Sequence, residues 1–202
     1  YTPGATPSTT TTTTDGTYTI PNLTPGTYRI CFSATTVGTL AYPYLRSECH
    51  NDLAWQPSLQ QPRADSDPVA VTSGAIVTID AQLAARPTIV GRLSGPNGAP
   101  ADRVSVDVYT STGVPVGWSQ ADSTGHYAVP LTALGSYTVC FKGSYAVSAA
   151  APGGYLDECY DNVPQPTSAL PAGTTPITLT AASPLATANA SLALAGSVTG
   201  TV

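Results

Sequence analysis

One strand-and-cysteine unit occurs twice in this chain of 202 residues, and this internal repeat constrains the fold more than any other feature. In each copy a turn and a short strand precede a second turn, a strand that ends in Cys-Phe, and a segment that ends in Glu-Cys. The copies span residues 15–49 and 122–159, and their cysteines are Cys31, Cys49, Cys140 and Cys159. The agreement in order and spacing predicts two domains of the same architecture.

The strand around the first cysteine of each copy alternates between apolar and polar positions. Because successive side chains of a strand point to opposite faces, Tyr28, Ile30 and Phe32 share the core face and Cys31 lies on the polar face. The second copy repeats this pattern with Tyr137, Val139, Phe141 and Cys140. We therefore expect each disulfide to join the outer surface of a sheet to a returning loop.

The composition indicates an all-β chain of short strands. Only 9% of the residues are charged, glycine and proline number 18 and 19, and β-branched residues are frequent. No stretch shows sustained helical periodicity. The length suits two domains of about 100 residues each.

The four cysteines permit three pairings, and the repeat favours the two local ones, Cys31 with Cys49 and Cys140 with Cys159. A disulfide that closes a loop of this size stabilises a protein by about 3 kcal/mol. The alternative is a zinc site, but CxxC spacing is absent and the two histidines, His50 and His126, occupy unmatched positions. Paired cysteines predict an oxidising compartment, and therefore secretion or display on the cell surface.

The repeat predicts three segments: 1–84, 85–194 and 195–202. The first is a repeat without its two opening strands, in which we expect 8–14, 17–20 and 76–79 to form strands, and the second is a complete repeat. The third matches the opening strand at 89–93, with Val198, Gly200 and Val202 as its apolar and glycine positions. The chain is either a window on a longer tandem array or a unit whose last strand completes a neighbouring copy by strand donation. We favour the window, because one donated strand replaces only one of two missing strands.

The opening strand at 89–93, the strand at 104–109 and the Gly-His-Tyr and Leu-Gly-Ser-Tyr motifs that begin at Gly125 and Leu134 resemble a carboxypeptidase regulatory-like domain. Such domains are also called transthyretin-like or prealbumin-like, and they are similar to the B-type repeats of bacterial surface adhesins. The Glu-Cys-Tyr-Asp-Asn stretch at 158–162 resembles versions in large secreted actinobacterial proteins. The resemblance implies two tandem Ig-like or transthyretin-like β-sandwich domains that serve as a spacer, stalk or adhesive unit.

Two groups of residues are candidate ligand sites. Asp157, Glu158 and Asp161 surround Cys159, and carboxylates at this density are weak candidates for calcium; a solvated acidic loop is the favoured interpretation. Trp55 and Trp118 are candidates for stacking on a carbohydrate, although the aromatic residues of a sandwich usually lie in its core.

The sequence favours a structural or adhesive role. It contains no catalytic motif, so we expect neither an enzyme nor a cofactor. The net charge of −5 argues against a nucleic-acid partner, and no apolar run reaches the ~18 residues of a membrane span. We expect a repeat of a secreted or surface stalk or fibre, whose partners are its own copies or adjacent repeats. The alternative is an accessory module that binds a glycan or a surface protein for a larger enzyme or adhesin.

Overall fold

A computed structural model describes residues 8–34, 44–55, 64–165, 167 and 169–201. Within these residues the fold is all-β: there is no α-helix, and the only helical turn is a short 3-10 turn at Pro96–Gly98. The described part divides into two compact units with the main boundary between Ala85 and Arg86.

The strands of the first unit are few and short. They are β1 (Gly26–Tyr28), β2 (Cys31–Phe32), β3 (Glu48–Cys49), β4 (Leu53–Ala54) and β5 (Val69–Val71). The second unit contains longer strands, and more of them. They are β6 (Thr88–Ser94), β7 (Ser105–Thr110), β8 (Pro115–Gln120), β9 (His126–Pro130), β10 (Gly135–Lys142), β11 (Glu158–Cys159), β12 (Val163–Pro164), β13 (Ile177–Leu179), β14 (Leu185–Thr187) and β15 (Ala190–Ser191).

The second unit is built from two sheets. Six strands form one sheet in the order β12-β11-β10-β7-β8, with β13 also paired to β10. The other sheet has β6 at its centre, where β6 pairs antiparallel with β9 and parallel with β14 and β15. Inward side chains from both sheets form one core cluster, whose members on the long strands are Ile89, Leu93, Val106, Val108, Tyr127, Val129, Tyr137, Val139 and Phe141.

Alternation along β7 shows why this sequence forms a half-buried sheet. Val106 and Val108 are fully buried, whereas Asp107 and Tyr109 between and after them lie on the outer face and are half-buried. The same outer face continues onto the edge strand β8, where Trp118 stands opposite Asp107. This face is where the structure displays polar and aromatic groups together.

The described residues of the first unit form two separate small sheets. In one, β1 pairs with β5, and in the other the order is β2-β3-β4. The strands expected at 17–20 and 76–79 are not formed. Their counterparts in the second unit, β9 and β14, both pair with β6, and the described residues of the first unit contain no strand equivalent to β6. Residues 8–14, which were also expected to form a strand, are exposed and lack a sheet partner.

The C-terminal residues 195–201 form no strand. Val198 is fully exposed, and no atom would lie within 4 Å of a Cβ added at Gly200. Val202 lies outside the described residues. In the described part of the chain, no helix has the length and apolar character needed to cross a bilayer.

Candidate functional site

Both disulfides form with the local pairing that the repeat predicts, Cys31 with Cys49 and Cys140 with Cys159. In each case the two cysteines stand directly opposite each other on adjacent antiparallel strands. The returning segment is therefore a short strand, β3 or β11, where the sequence predicted a loop. The expectation of an outer, surface-facing disulfide is also modified, because Cys140 and Cys159 are fully buried.

A glutamine covers the disulfide of the second unit. Gln165 is almost completely buried, and its Oε1 lies 3.5 Å from Cys159 Sγ. Its Nε2 donates a hydrogen bond to the carbonyl of Ala169, and its backbone N–H donates to the carbonyl of Asp157. The side chain thus joins the loop after β12 to the outer face of the sheet.

Trp55 occupies the equivalent position in the first unit. Its backbone N–H donates to the carbonyl of Ser47, as that of Gln165 does to Asp157, and its side chain is half-buried. The sequence singled out Trp55 as a stacking residue, and its backbone hydrogen bond gives it the position that Gln165 has in the second unit.

Asp157 organises the loop after β10. Its Oδ1 accepts hydrogen bonds from the backbone N–H groups of Gly143 and Ser144, at 2.9 and 3.0 Å. Lys142 Nζ lies 3.7 Å from its Oδ2. The first unit uses a neutral substitute, since Ser47 Oγ accepts from the N–H of Ala34 at 2.9 Å.

The three carboxylates proposed for calcium have three different environments. Asp157 binds backbone N–H groups, as described above, and Asp161 accepts a hydrogen bond from Thr175 Oγ1 at 2.8 Å. Glu158 stands opposite Phe141, its Oε1 is buried without a hydrogen-bond partner, and burial raises its pKa. In the part of the chain that the structure describes, no group of three or more acidic, histidine or cysteine residues is arranged to hold a metal ion.

A shallow cleft of about 440 Å³ lies on the outer face of β7 and β8. Trp118, with 72% of its surface exposed, forms one side of the cleft, opposite Asp107. Asp107 accepts from Ser105 Oγ at 3.1 Å, and the hydroxyl of Tyr109 lies 3.5 Å from its other oxygen. The lining residues are Asp107, Tyr109, Pro115, Val116, Gly117 and Trp118.

The chemistry of this cleft suits a neutral, hydroxyl-rich ligand. Burial, and then the nearby charge of Asp107, raise the pKa of Tyr109, which therefore remains a protonated donor at neutral pH. An exposed indole beside a carboxylate acceptor and a phenol donor offers an apolar platform with polar groups at its edge. Trp118 and Trp55 belong to different units and to non-equivalent positions of the repeat, so the structure does not make them a shared aromatic motif.

The turn between β8 and β9 is fixed by one carboxylate. Asp122 Oδ1 accepts from the N–H groups of Thr124 and His126 and from Thr124 Oγ1, and these bonds lower its pKa. His126 is held by Thr124, whose Oγ1 lies 2.7 Å from His126 Nδ1. The first unit forms the same backbone turn, with Thr13 at the position of Asp122, and Asp15 at the position of Thr124 accepts from the N–H and Oγ1 of Thr17. Both histidine-free and histidine-containing copies form the turn, so the turn does not require His126, which begins β9.

A tyrosine hydroxyl bonded to a distant backbone carbonyl is the shared feature that the sequence did not reveal. Tyr127 OH donates to the carbonyl of Ala188 at 2.5 Å, and Tyr18 OH donates to that of Ile79 at 2.7 Å. In both units the acceptor follows the tyrosine by 61 positions. Each tyrosine ring also contacts the edge or face of a phenylalanine, Tyr127 with Phe141 and Tyr18 with Phe32. The alternation pattern predicts that these tyrosines point inward, and only the equal spacing in both copies could have indicated the hydrogen bond.

No protein-family model matches the chain, and no curated protein matches it in sequence.

Proposed function

We propose that this chain is a structural or adhesive repeat of a secreted or cell-surface stalk or fibre. In this proposal each unit is a β-sandwich repeat of the type that the sequence resembles, and the partners are neighbouring copies or adjacent repeats. In this proposal the first unit makes contact with a strand from such a neighbour.

The observation that supports this proposal is the nature of what the two units share. Each has a disulfide between opposite residues of neighbouring strands, an aspartate-fixed turn and a tyrosine hydroxyl bonded to a distant carbonyl. All three features hold the framework together. Selection for a stable framework accounts for a repeat of this kind.

Two disulfides agree with an extracellular location, because such bonds persist in oxidising compartments.

Multi-angle light scattering of the chain over a wide concentration range, followed by electron microscopy of the largest species, tests the proposal. We expect the mass to rise with concentration and elongated assemblies to form. A chain that stays a 20.5 kDa monomer at millimolar concentration would contradict self-assembly.

The cleft at Trp118 favours a second candidate function, the binding of a glycan. Substitution Trp118→Ala would remove the platform, and we expect it to abolish any glycan binding detected by titration calorimetry. Tyr145→Ala is the matched control, because Tyr145 is also a highly exposed aromatic residue but does not line the cleft. Equal affinities of the two variants for the same glycan would exclude the cleft as the binding site.

A further inference from the structure

Strand β8 forms one edge of the six-stranded sheet in the second unit. The edge strands β12, β13, β14 and β15 have two or three residues each, and such short edges offer little for another chain to pair with. β9 is longer, but none of its residues is exposed. β8 has six residues, and its side chains Val116 and Trp118 are exposed. Among the described edges of this unit, β8 therefore combines length with exposed apolar side chains.

The edge at β8 also lacks the charges that usually prevent pairing. Every residue from 110 to 121 is uncharged, in a chain whose net charge is −5. Natural sheet edges are commonly protected by charged side chains, especially lysine. An uncharged edge gives no electrostatic gain to a basic or an acidic partner, whereas two identical copies approach here without like charges facing each other. A second copy of β8 is therefore the partner that suits this edge.

The ends of β8 limit the register of such a pair. At one end Pro115 has no N–H to donate, and the register between β7 and β8 shifts beside it. At the other end Asp122 lies two positions beyond Gln120, and its carboxylate would bring a charge into the contact. The segment between these limits is 116–120, and Trp118 is its centre. A symmetric pair that uses the whole segment therefore has its axis at Trp118.

We propose that β8 pairs with β8 of a second copy of this chain, antiparallel and about a two-fold axis at Trp118. Val116 of each copy then lies opposite Gln120 of the other. The two indole rings lie opposite each other on the outer face, and cross-strand aromatic pairs of this kind stabilise antiparallel strands. The two six-stranded sheets become continuous across the contact. This assignment rests on the proposed function, because it names a contact through which copies assemble.

The carboxylate of Asp107 does not oppose this contact. Asp107 stands opposite Trp118 on the neighbouring strand β7, so the two copies of Asp107 are three strand spacings apart, about 14 Å. At physiological salt the Debye length is about 8 Å, and charges at this distance are largely screened. One pair of short strands is a small contact beside the ~1,200–2,000 Å² of a stable interface, so we expect weak association that increases with concentration.

A cross-link between two different variants tests the register in the full-length chain. Val116→Cys and Gln120→Cys are mixed in equal amounts under mild oxidation, and mass spectrometry of the intact products distinguishes mixed dimers from homodimers. We expect the mixed disulfide to form about tenfold faster than either homodimer, because only in the mixed dimer do the two cysteines stand directly opposite each other. In a homodimer they would be four residues apart along the strands, about 14 Å, which a disulfide does not span. Both variants retain Trp118.

A charge placed on the edge provides the second test without added cysteines. We expect Trp118→Lys to weaken association about tenfold in light scattering, because it sets two like charges directly opposite each other. Tyr145→Lys is the matched control: it makes the same change of charge at an exposed aromatic residue of the same unit that lies outside β8. Both side chains are highly exposed, so both variants should fold normally by circular dichroism.

The possible outcomes separate this inference from the proposed function. Association that is equally strong in Trp118→Lys and Tyr145→Lys would overturn the pairing of β8 and leave the structural role intact. Mixed dimers and homodimers that form at equal rates would overturn the pairing with a second copy and leave the edge to a strand of another protein. A wild-type chain that never associates would contradict both the pairing and the proposed function.

Discussion

The two units carry the same strand pattern but bury it to different depths. Tyr137, Val139 and Phe141 are buried in the second unit, whereas their counterparts in the first, Tyr28, Ile30 and Phe32, are all half-buried. The second unit adds β6 and β7, and both strands contribute fully buried side chains to its core. An alternating strand therefore specifies which face is apolar, while its neighbours determine whether that face becomes a core.

Features that depend on nearby residues are equal in the two units. The disulfide, the aspartate-fixed turn and the short strand pair that contains the second cysteine form in both. These elements need only a cross-strand neighbour or a turn of a few residues. Each copy therefore forms its local framework by itself, whereas burial of a core requires additional strands.

Truncation of the equivalent phenylalanines should give the largest difference between the units. Phe141 is fully buried, so Phe141→Ala should lower the free energy of unfolding of the second unit by about 3–5 kcal/mol. Phe32→Ala removes a half-buried ring and should have a clearly smaller effect on the first unit. Hydrogen exchange measured by mass spectrometry reports the two units separately. Equal losses would show that the first unit is as well packed as the second.

Removal of the disulfides should give the next largest difference in stability between the two units. Each closes a loop of similar size, with sequence separations of 18 and 19, so each contributes about 3 kcal/mol. We expect Cys140→Ser with Cys159→Ser to lower the stability of the second unit without unfolding it. The same change at Cys31 and Cys49 should unfold the first unit, which has little core to compensate.

Protection from hydrogen exchange at β10 and at β1–β2 measures this difference in the two double variants. Persistent protection of the first unit without its disulfide would contradict the expectation that this unit needs the disulfide to stay folded. Each variant serves as the control for the other, because the disulfide of the untouched unit remains intact.

Much of this organisation could be predicted from the sequence, and what could not has a physical explanation. The all-β class, the local cysteine pairing and the inward tyrosines follow from periodicity and repetition. The strands expected at 17–20 and 76–79 were wrong, because a strand forms by pairing and the pattern does not reveal whether a partner is present. The role of Gln165 was missed, because the coverage of a disulfide depends on where a loop returns.

The candidate cleft could be predicted only in part, because the sequence does not reveal which residues become neighbours across two strands. Trp118 could be singled out as an aromatic residue on a polar strand face, but its neighbours Asp107 and Tyr109 lie on another strand. Only the register between β7 and β8 brings these three side chains together. Sequence periodicity identifies the face of a residue, whereas register identifies its cross-strand neighbours.

The smallest effect that we predict concerns a glutamate beside each disulfide, which is buried in the first unit and half-buried in the second. Glu158 and Glu48 precede the second cysteines and stand opposite Phe141 and Phe32. Burial raises the pKa of both carboxyls, and for Glu48 the charge of Asp52 adds to this effect. Because the local strand pair places these side chains, we expect them to respond alike in spite of the different cores.

A raised pKa means that the folded chain binds the proton more readily than the unfolded chain does. The contribution of each glutamate to stability is therefore fully present below its unfolded pKa and is lost as the pH rises through its folded pKa. Glu158→Gln should stabilise the second unit at pH 7, and this gain should vanish as the pH falls well below the ordinary value of 4.5.

Denaturant titrations of wild type, Glu158→Gln and Glu48→Gln at several pH values measure the difference. Asp15 and Asp122 have lowered pKa values, so their contributions to stability change with pH in the opposite direction. At a given pH these contributions are the same in the variant and in wild type, so they do not affect the comparison. A gain that is independent of pH would show that the removal of charge is not its cause. A gain in one unit alone would show that the disulfide strand pair does not create the same environment twice.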